Sequence, residues 1–280
     1  MRDCRVYALY SSSSGNSFYI EINGKSILID AGKNARTLCR ALSEIGSDID
    51  KIEAIFVTHE HSDHIAALEI LSKNYDVPIH MTEVSAKKLD RYPDSPIHKN
   101  LVRHKDSFAL DLGEFRIRSF HTPHDSLMSV GYRIDFFGDD GEHSIALATD
   151  IGYVTREIDD ALRGCEAVLL ESNYDEEMLE RGPYPYDLKK RIRSKRGHLS
   201  NRESAEFAAH LASLGTRSFL LVHLSKENNR ADIALDEYMS AIADPSIVIT
   251  VASPDEPTEM IFSKETEIYD FCKDNSSWNA

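Results

Sequence analysis

The segment His59-Glu60-His61-Ser62-Asp63-His64 constrains this chain more than any other, because it sets four potential metal ligands within six residues directly after an apolar run. Residues 52–58 (IEAIFVT) read as a buried strand and residues 65–71 as a helix. The ligands therefore fall on the turn at a strand's C-terminal end, where sandwiches and open α/β sheets build their sites. His59 and His61, two residues apart, can converge on one ion, while Asp63 and His64 turn toward a second position. Imidazole and carboxylate together suit zinc, manganese or iron rather than calcium or magnesium.

Three more apolar runs end in a ligand-type residue. Residues 115–120 lead to His121-Thr122-Pro123-His124-Asp125, residues 144–148 to Thr149-Asp150, and residues 219–222 to His223. Four segments can thus meet in one pocket. His59, His61, Asp63, His64, His124, Asp150 and His223 make a set suited to two divalent ions about 3.5–4 Å apart, with one carboxylate bridging. His124 is preferred over His121, which fits a supporting donor or a buried structural histidine equally well.

The HEHSDH segment, with Asp30 upstream and His124, Asp150 and His223 downstream, resembles the metallo-β-lactamase superfamily over nearly the whole chain. Ser12–Asn16 (SSSGN), Glu171–Asp175 (ESNYD), Gly182–Pro185 (GPYP), Gly197–Asn201 (GHLSN) and His223–Asn229 (HLSKENN) are similar to its YycJ/WalJ (VicX) branch of bacterial exodeoxyribonucleases. That branch usually carries His where Tyr174 stands, so no role is assigned to this position. The resemblance implies an α/β (α+β) fold, the four-layer αββα metallo-β-lactamase sandwich, formed by a single domain over residues 1–280 with a polar tail from about residue 263. Strand-like runs in two groups, each closing with helices, agree with it. The expected strands include residues 5–10, 17–22, 25–30, 108–112, 132–137, 167–171, 217–223, 247–252 and 259–262. Asn23-Gly24 is expected to turn a hairpin. Helices are expected at about 35–45, 155–163, 204–214 and 232–242.

The resemblance also implies roles. Asp30 would hydrogen-bond the ligand loop and fix imidazole tautomers; the alternative is an exposed turn carboxylate. His198, in a Gly-His-Ser-type loop similar to that of the nuclease members, would donate a proton to the leaving oxygen or clamp the phosphate. Asp63 would join it in catalysis. Ser14, Asn16, Asn173, Ser200 and Asn201 would contact substrate. The oxygen-reducing di-iron branch has Glu in the place of His61, so hydrolysis is the chemistry implied here.

Substrate class rests partly on charge. The chain holds 32 basic against 47 acidic side chains, a net charge of -15, yet residues 189–196 (KKRIRSKR) carry six cations in eight positions. Salt screens bulk acidity beyond about 8–10 Å, leaving such a block to act locally. Lys189, Lys190, Arg193 and Lys195 are the expected phosphate contacts, against the alternative of a solvated helix face. With this block, the resemblance implies DNA as the substrate, with RNA a further candidate, cut by a water activated between two ions of zinc or manganese, iron also fitting. Two alternatives are a small-molecule hydrolase of the same fold, acting on a thioester, lactone or cyclic phosphate, and a regulatory protein of envelope signalling with structural metals.

The 280 residues can bury one substantial core. No apolar run approaches the ~20 residues of a membrane span, so no membrane insertion is expected. Cys4, Cys39, Cys165 and Cys272 form no CxxC pair, which points to reduced thiols and a cytoplasmic location. His80, His98, His104, His143 and His210 match no motif and are read as structural or surface residues. Oligomeric state is not legible.

Overall fold

The computed structural model describes residues 4–139 and 141–262. The expected polar tail from 263, together with Cys272, lies outside the described residues.

Two seven-stranded mixed sheets pack face to face with helices on both outer surfaces. The first contains β1 (Cys4–Ser12), β2 (Gly15–Ile22), β3 (Lys25–Ile29), β4 (Ile52–Phe56), β5 (Ile79–Thr82) and β6 (Leu101–His104). The second contains β7 (Ala109–Asp111), β8 (Phe115–Thr122), β9 (Ser129–Gly138), β10 (Gly141–Ala148), β11 (Ala167–Glu171), β12 (Ser218–Val222) and β13 (Val248–Val251). The last strand, β14 (Thr258–Glu259), returns to pair with β1, so the first sheet runs β14-β1-β2-β3-β4-β5-β6. The order of the second is β13-β12-β11-β10-β9-β8-β7.

The apolar pattern explains the layering. In β3, Ile27 and Ile29 point into the core between the sheets, while Leu28 faces the outer helices. A strand buried on both faces shows an unbroken apolar run rather than alternation. The inter-sheet core joins Phe18, Ile20 and Phe56 of one sheet to Ile117, Tyr132, Leu147 and Leu220 of the other. Outside the first sheet, Leu38 and Leu42 of the helix Ala35–Glu44 meet Leu9 and Ile55. Outside the second, Ala208 and Leu211 of the helix Asn201–Ser213 meet Val168 and Leu221. Each fully buried side chain of this size stabilises the fold by about 1.5–3 kcal/mol.

Local signals agree with their elements. Asn23 and Gly24 have φ of 51° and 82°, the left-handed pair that a two-residue hairpin between β2 and β3 requires. The expected single helix after the HEHSDH turn is instead two short helices, Ser62–Ile65 and Leu68–Asn74. Two strands, β5 and β6, were not expected: each is four residues long and carries a histidine, and period-two reading is weak at that length. No helix of the described residues is long and apolar enough to cross a membrane.

In both sheets a parallel half directs strand C-termini to a common edge: β3 through β6 in one, β10 through β13 in the other. The chain leaves β3 at Asp30, β10 through Thr149 to Asp150, and β12 at His223. All three departing residues have positive φ, 62°, 56° and 60°. That region is sparsely populated by residues other than glycine, and its strain is tolerated where surrounding structure over-determines it.

Candidate metal centre

The departing residues and the HEHSDH turn meet at that edge. His59, His61 and His124 bring one ligand atom each to within 4.8 Å of one another, and Asp63, His64 and His223 form a second such group. Asp150 stands between them. Its Oδ1 is 3.5 Å from His124 Nε2, and its Oδ2 is 3.4 Å from His64 Nε2.

Four of the five histidines in these groups hold the protein through Nδ1. His59 Nδ1 meets Thr58 Oγ1 at 3.0 Å, and His64 Nδ1 meets Asp30 Oδ2 at 2.8 Å. His124 Nδ1 meets Gly197 O at 3.2 Å, and His223 Nδ1 meets Glu171 Oε1 at 2.9 Å. Each ring is thereby fixed with Nε2 directed at the centre, the arrangement that supporting hydrogen bonds give to metal-binding histidines. His59 Nε2, His223 Nε2 and Asp150 Oδ2 are buried with no hydrogen-bond partner. Unpartnered buried polar atoms cost about 1–3 kcal/mol each, so three converging ones require a ligand. The donor set fits a divalent cation, and the cluster is a divalent-metal site.

Electrostatics agree. Burial alone would raise the Asp150 carboxyl, but the imidazoles of His223, His124, His64 and His59 hold it well below the usual carboxylate range. Burial opposes charge on His223 as well, yet Asp150, Asp63 and Glu171 draw its imidazole up to about 10. Buried carboxylates gathered this way demand positive charge among them. His59, deep and beside the other imidazoles, is pushed well below its ordinary value, which leaves a neutral ring with a free lone pair.

Asp30 is fully buried. Its Oδ1 accepts from Thr58 N and its Oδ2 from Thr58 Oγ1, both at 2.8 Å, so the same carboxylate holds the start of the ligand turn and His64. Gly32 lets this turn close. A Cβ there would fall 1.6 Å from Asp63 O.

Glu171, the first residue of the ESNYD motif, carries no expected role, yet it is central here. Its Oε1 accepts from His223 Nδ1 at 2.9 Å and from His198 Nδ1 at 2.8 Å. Oε2 accepts from Ile151 N at 2.8 Å and Leu199 N at 3.3 Å. Burial would raise this carboxyl, but His198 and His223 bring it down to about 2. His198 thus lies at the rim with its side chain 19% exposed, its ring 5.1 Å from that of His124 and 5.2 Å from that of His223. A buried acidic residue ending a fully buried strand was the available signal for Glu171.

Several residues expected to contact substrate have partners within the fold. Ser200 caps the helix Asn201–Ser213 in a reciprocal box with Glu203. Asn201 is buried, bonded to Ser172 and Asn229 through its amide. Asn173 donates to His223 O at 2.7 Å. Asn16, also buried, braces Ser11 and Ser12 and lies 3.3 Å from His64 Nε2. All four are buried, and each makes side-chain hydrogen bonds within the protein that brace the site. Ser14 is exposed beside Ser12. His121 points away, to Asp106 at 2.8 Å, so the structure brings His124 to the cluster. Tyr174 is buried and pairs through its backbone with Ser200.

The basic block is divided. Lys189 donates to Glu180 O, and Arg193 pairs with the Glu180 carboxylate at 2.6 Å. Lys195 lies over the Tyr153 ring, and Lys190 is exposed without an ion pair among the described residues. The two arginines not singled out from the sequence approach the metal site. Arg191 pairs with Asp125, whose other oxygen is 3.2 Å from His124 Nε2. Arg196 donates to His124 O at 3.1 Å and Ser126 O at 3.2 Å.

Comparisons with known proteins agree with this geometry. Residues 25–224 match the Beta-lactamase superfamily domain. The chain is 34% identical over 264 residues to Exodeoxyribonuclease WalJ of Streptococcus pneumoniae, across 90% of this chain and 95% of that one. It is 31% identical over 227 residues to Exodeoxyribonuclease YycJ of Bacillus anthracis, across 81% and 84%. Among solved structures, the metallo-beta-lactamase fold protein YhfI from Bacillus subtilis superposes with a TM-score of 0.69 at 17% identity, over 92% of this chain and 99% of that one.

Proposed function

The chain belongs to the beta-lactamase superfamily, in the branch of the WalJ and YycJ exodeoxyribonucleases, and from that premise we propose a single-domain, metal-dependent enzyme that removes nucleotides from DNA ends. The observation that carries the reading is Asp150, set with one oxygen toward each group of histidines and with Oδ2 buried and unpartnered. His59, His61, His124 and Asp150 would hold one ion, and Asp63, His64, His223 and Asp150 the other. Zinc or manganese suits these ligands, and iron is compatible with them. When bound, two such ions supply a water of lowered pKa and a clamp on the phosphate oxygens.

The protein's own part follows from the second layer. Glu171 takes His198 Nδ1–H, which fixes the tautomer and leaves Nε2 as the ring's other polar atom. His198, held in place by that bond, would give a proton to the departing deoxyribose oxygen. Since Glu171 also orients His223, one carboxylate aligns the acid with the metal ligands. Arg191 and Arg196, beside His124, bring positive charge to the phosphate in a chain that is acidic overall. A 5′→3′ direction and a cytoplasmic location belong to the same proposal; free Cys4, Cys39 and Cys165 support the latter.

Digestion of end-labelled single- and double-stranded DNA by metal-stripped protein, with zinc or manganese restored, tests it. The expected result is release of 5′-labelled mononucleotide only after metal is added. Intact DNA alongside metal-dependent hydrolysis of a small chromogenic phosphodiester would replace it with a small-molecule phosphodiesterase.

A further inference from the structure

A cleft of about 470 Å³ opens beside the metal centre, and the ligand residues His61 and Asp63 form part of its wall. The volume falls within the roughly 300–1,000 Å³ of pockets that hold one small organic molecule. Tyr92, 69% exposed, lines the same cleft. Exposed aromatics are ordinary singly, but the backbone of this one is fastened. Tyr92 N donates to Leu89 O at 3.0 Å, Ser95 N donates to Tyr92 O at 3.0 Å, and the His98 ring lies 3.0 Å from the same oxygen. An aromatic ring on a pinned backbone loses little freedom on binding, which suits it to stacking. Leu89 and Ile97, both buried, form an apolar floor.

The lining is mixed in charge: Glu60 and Glu69 join Asp63, and two cations stand with them. Lys88, exposed and without an ion pair among the described residues, lines the cleft, as does Arg191 from the basic block. Arg191 pairs with Asp125, whose other oxygen lies 3.2 Å from His124 Nε2, so it links the cleft to the centre. An exposed aromatic, an apolar lining and two cations beside the metal centre offer a nucleotide a face for its base and partners for its phosphate.

We propose that this cleft seats the terminal nucleotide of the DNA strand, its base stacked on Tyr92 and its phosphates met by Lys88 and Arg191. The proposal rests on the exonuclease reading above and adds where the substrate end is read. Stacking on an aromatic tolerates any base, so the cleft gives affinity without sequence preference.

The test uses metal-loaded protein and two single-stranded, end-labelled oligonucleotides, one natural and one with an abasic terminal residue. Removal of a stacking aromatic changes binding by about 5- to 150-fold. The parent should therefore favour the natural end by that factor in kcat/KM, Tyr92→Ala should abolish the preference, and Tyr92→Phe should keep it. Equal rates on both ends by the parent, or a preference that survives in Tyr92→Ala, would overturn the stacking cleft while leaving the exonuclease intact. A parent that cuts neither oligonucleotide overturns the exonuclease reading itself, and the cleft with it.

Discussion

Two regions of this molecule are rich in histidine, and they use the imidazole in opposite ways. At the metal centre, Nδ1 is tied to a carboxylate, hydroxyl or carbonyl and Nε2 is left facing other ligands. On β5 and β6, His80 and His104 are tied to each other instead, with Nδ1 and Nε2 3.0 Å apart. Their faces are stacked into an aromatic column, His80 on Phe56 at 4.9 Å and His104 on Phe108 at 3.8 Å. Among the described residues no carboxylate bonds either ring. Burial, with the neighbouring His104, pushes His80 down to about 4, so its neutral form is the folded one. The lesson is that burial alone does not mark a ligand. A converging, unpartnered nitrogen with a carboxylate behind it does.

The contrast can be broken most severely at Asp150. Asp150→Ala removes the group shared by both histidine sets, so DNA cleavage should fall by more than the about 10²–10⁴-fold expected for removing a positioned acid. Rates within tenfold of the parent would make Asp150 dispensable and dissolve the shared centre. His198→Ala should cost that 10²–10⁴-fold in kcat while metal content, by elemental analysis, stays at the parent level. A variant that loses metal would move His198 into the ligand set. Glu171→Gln should weaken metal affinity by about 10–100-fold, because His223 loses the carboxylate that orients it. Competition with a chromogenic chelator reads this directly, and unchanged affinity would reduce Glu171 to a fold residue.

The aromatic column supplies the smallest effect. His80 has a folded-state pKa of about 4 against an ordinary value near 6.5, so the unfolded chain binds its proton first as the solution is acidified. Stability from this group is present above about pH 6.5 and is lost as pH falls toward 4. His80→Leu should therefore lose less stability than the parent between pH 7 and pH 5 in urea unfolding, with metal content unaltered. Equal losses would show that His80 does not carry the acid sensitivity.

Sequence made the centre legible because its ligands end apolar strands, and strand ends are where chemistry is placed on such sheets. Asp30 was legible for the same reason, with the resemblance to guide its role. Glu171 also ends a strand, but a glutamate there carries no histidine-type signature, and its role depends on His198 and His223, 27 and 52 residues away. Ser200 and Asn201 looked like pocket residues because they adjoin His198. Their side chains point into a helix cap and a buried amide network, a direction that adjacency along the chain does not fix. The basic block was visible as a charge run, yet which cations face the site depends on where the helix Tyr186–Ile192 packs, and this selects Arg191 over Lys189. The strands β5 and β6 are not legible in the sequence because four residues cannot display a period.

The most direct measurement is a calorimetric titration of metal-stripped protein with zinc or manganese, run on the parent, on Asp150→Ala and on His80→Leu. The account predicts two ions per chain for the parent and for His80→Leu, and one or none for Asp150→Ala. A parent that takes up no ion, or an Asp150→Ala variant that binds two as the parent does, would contradict it.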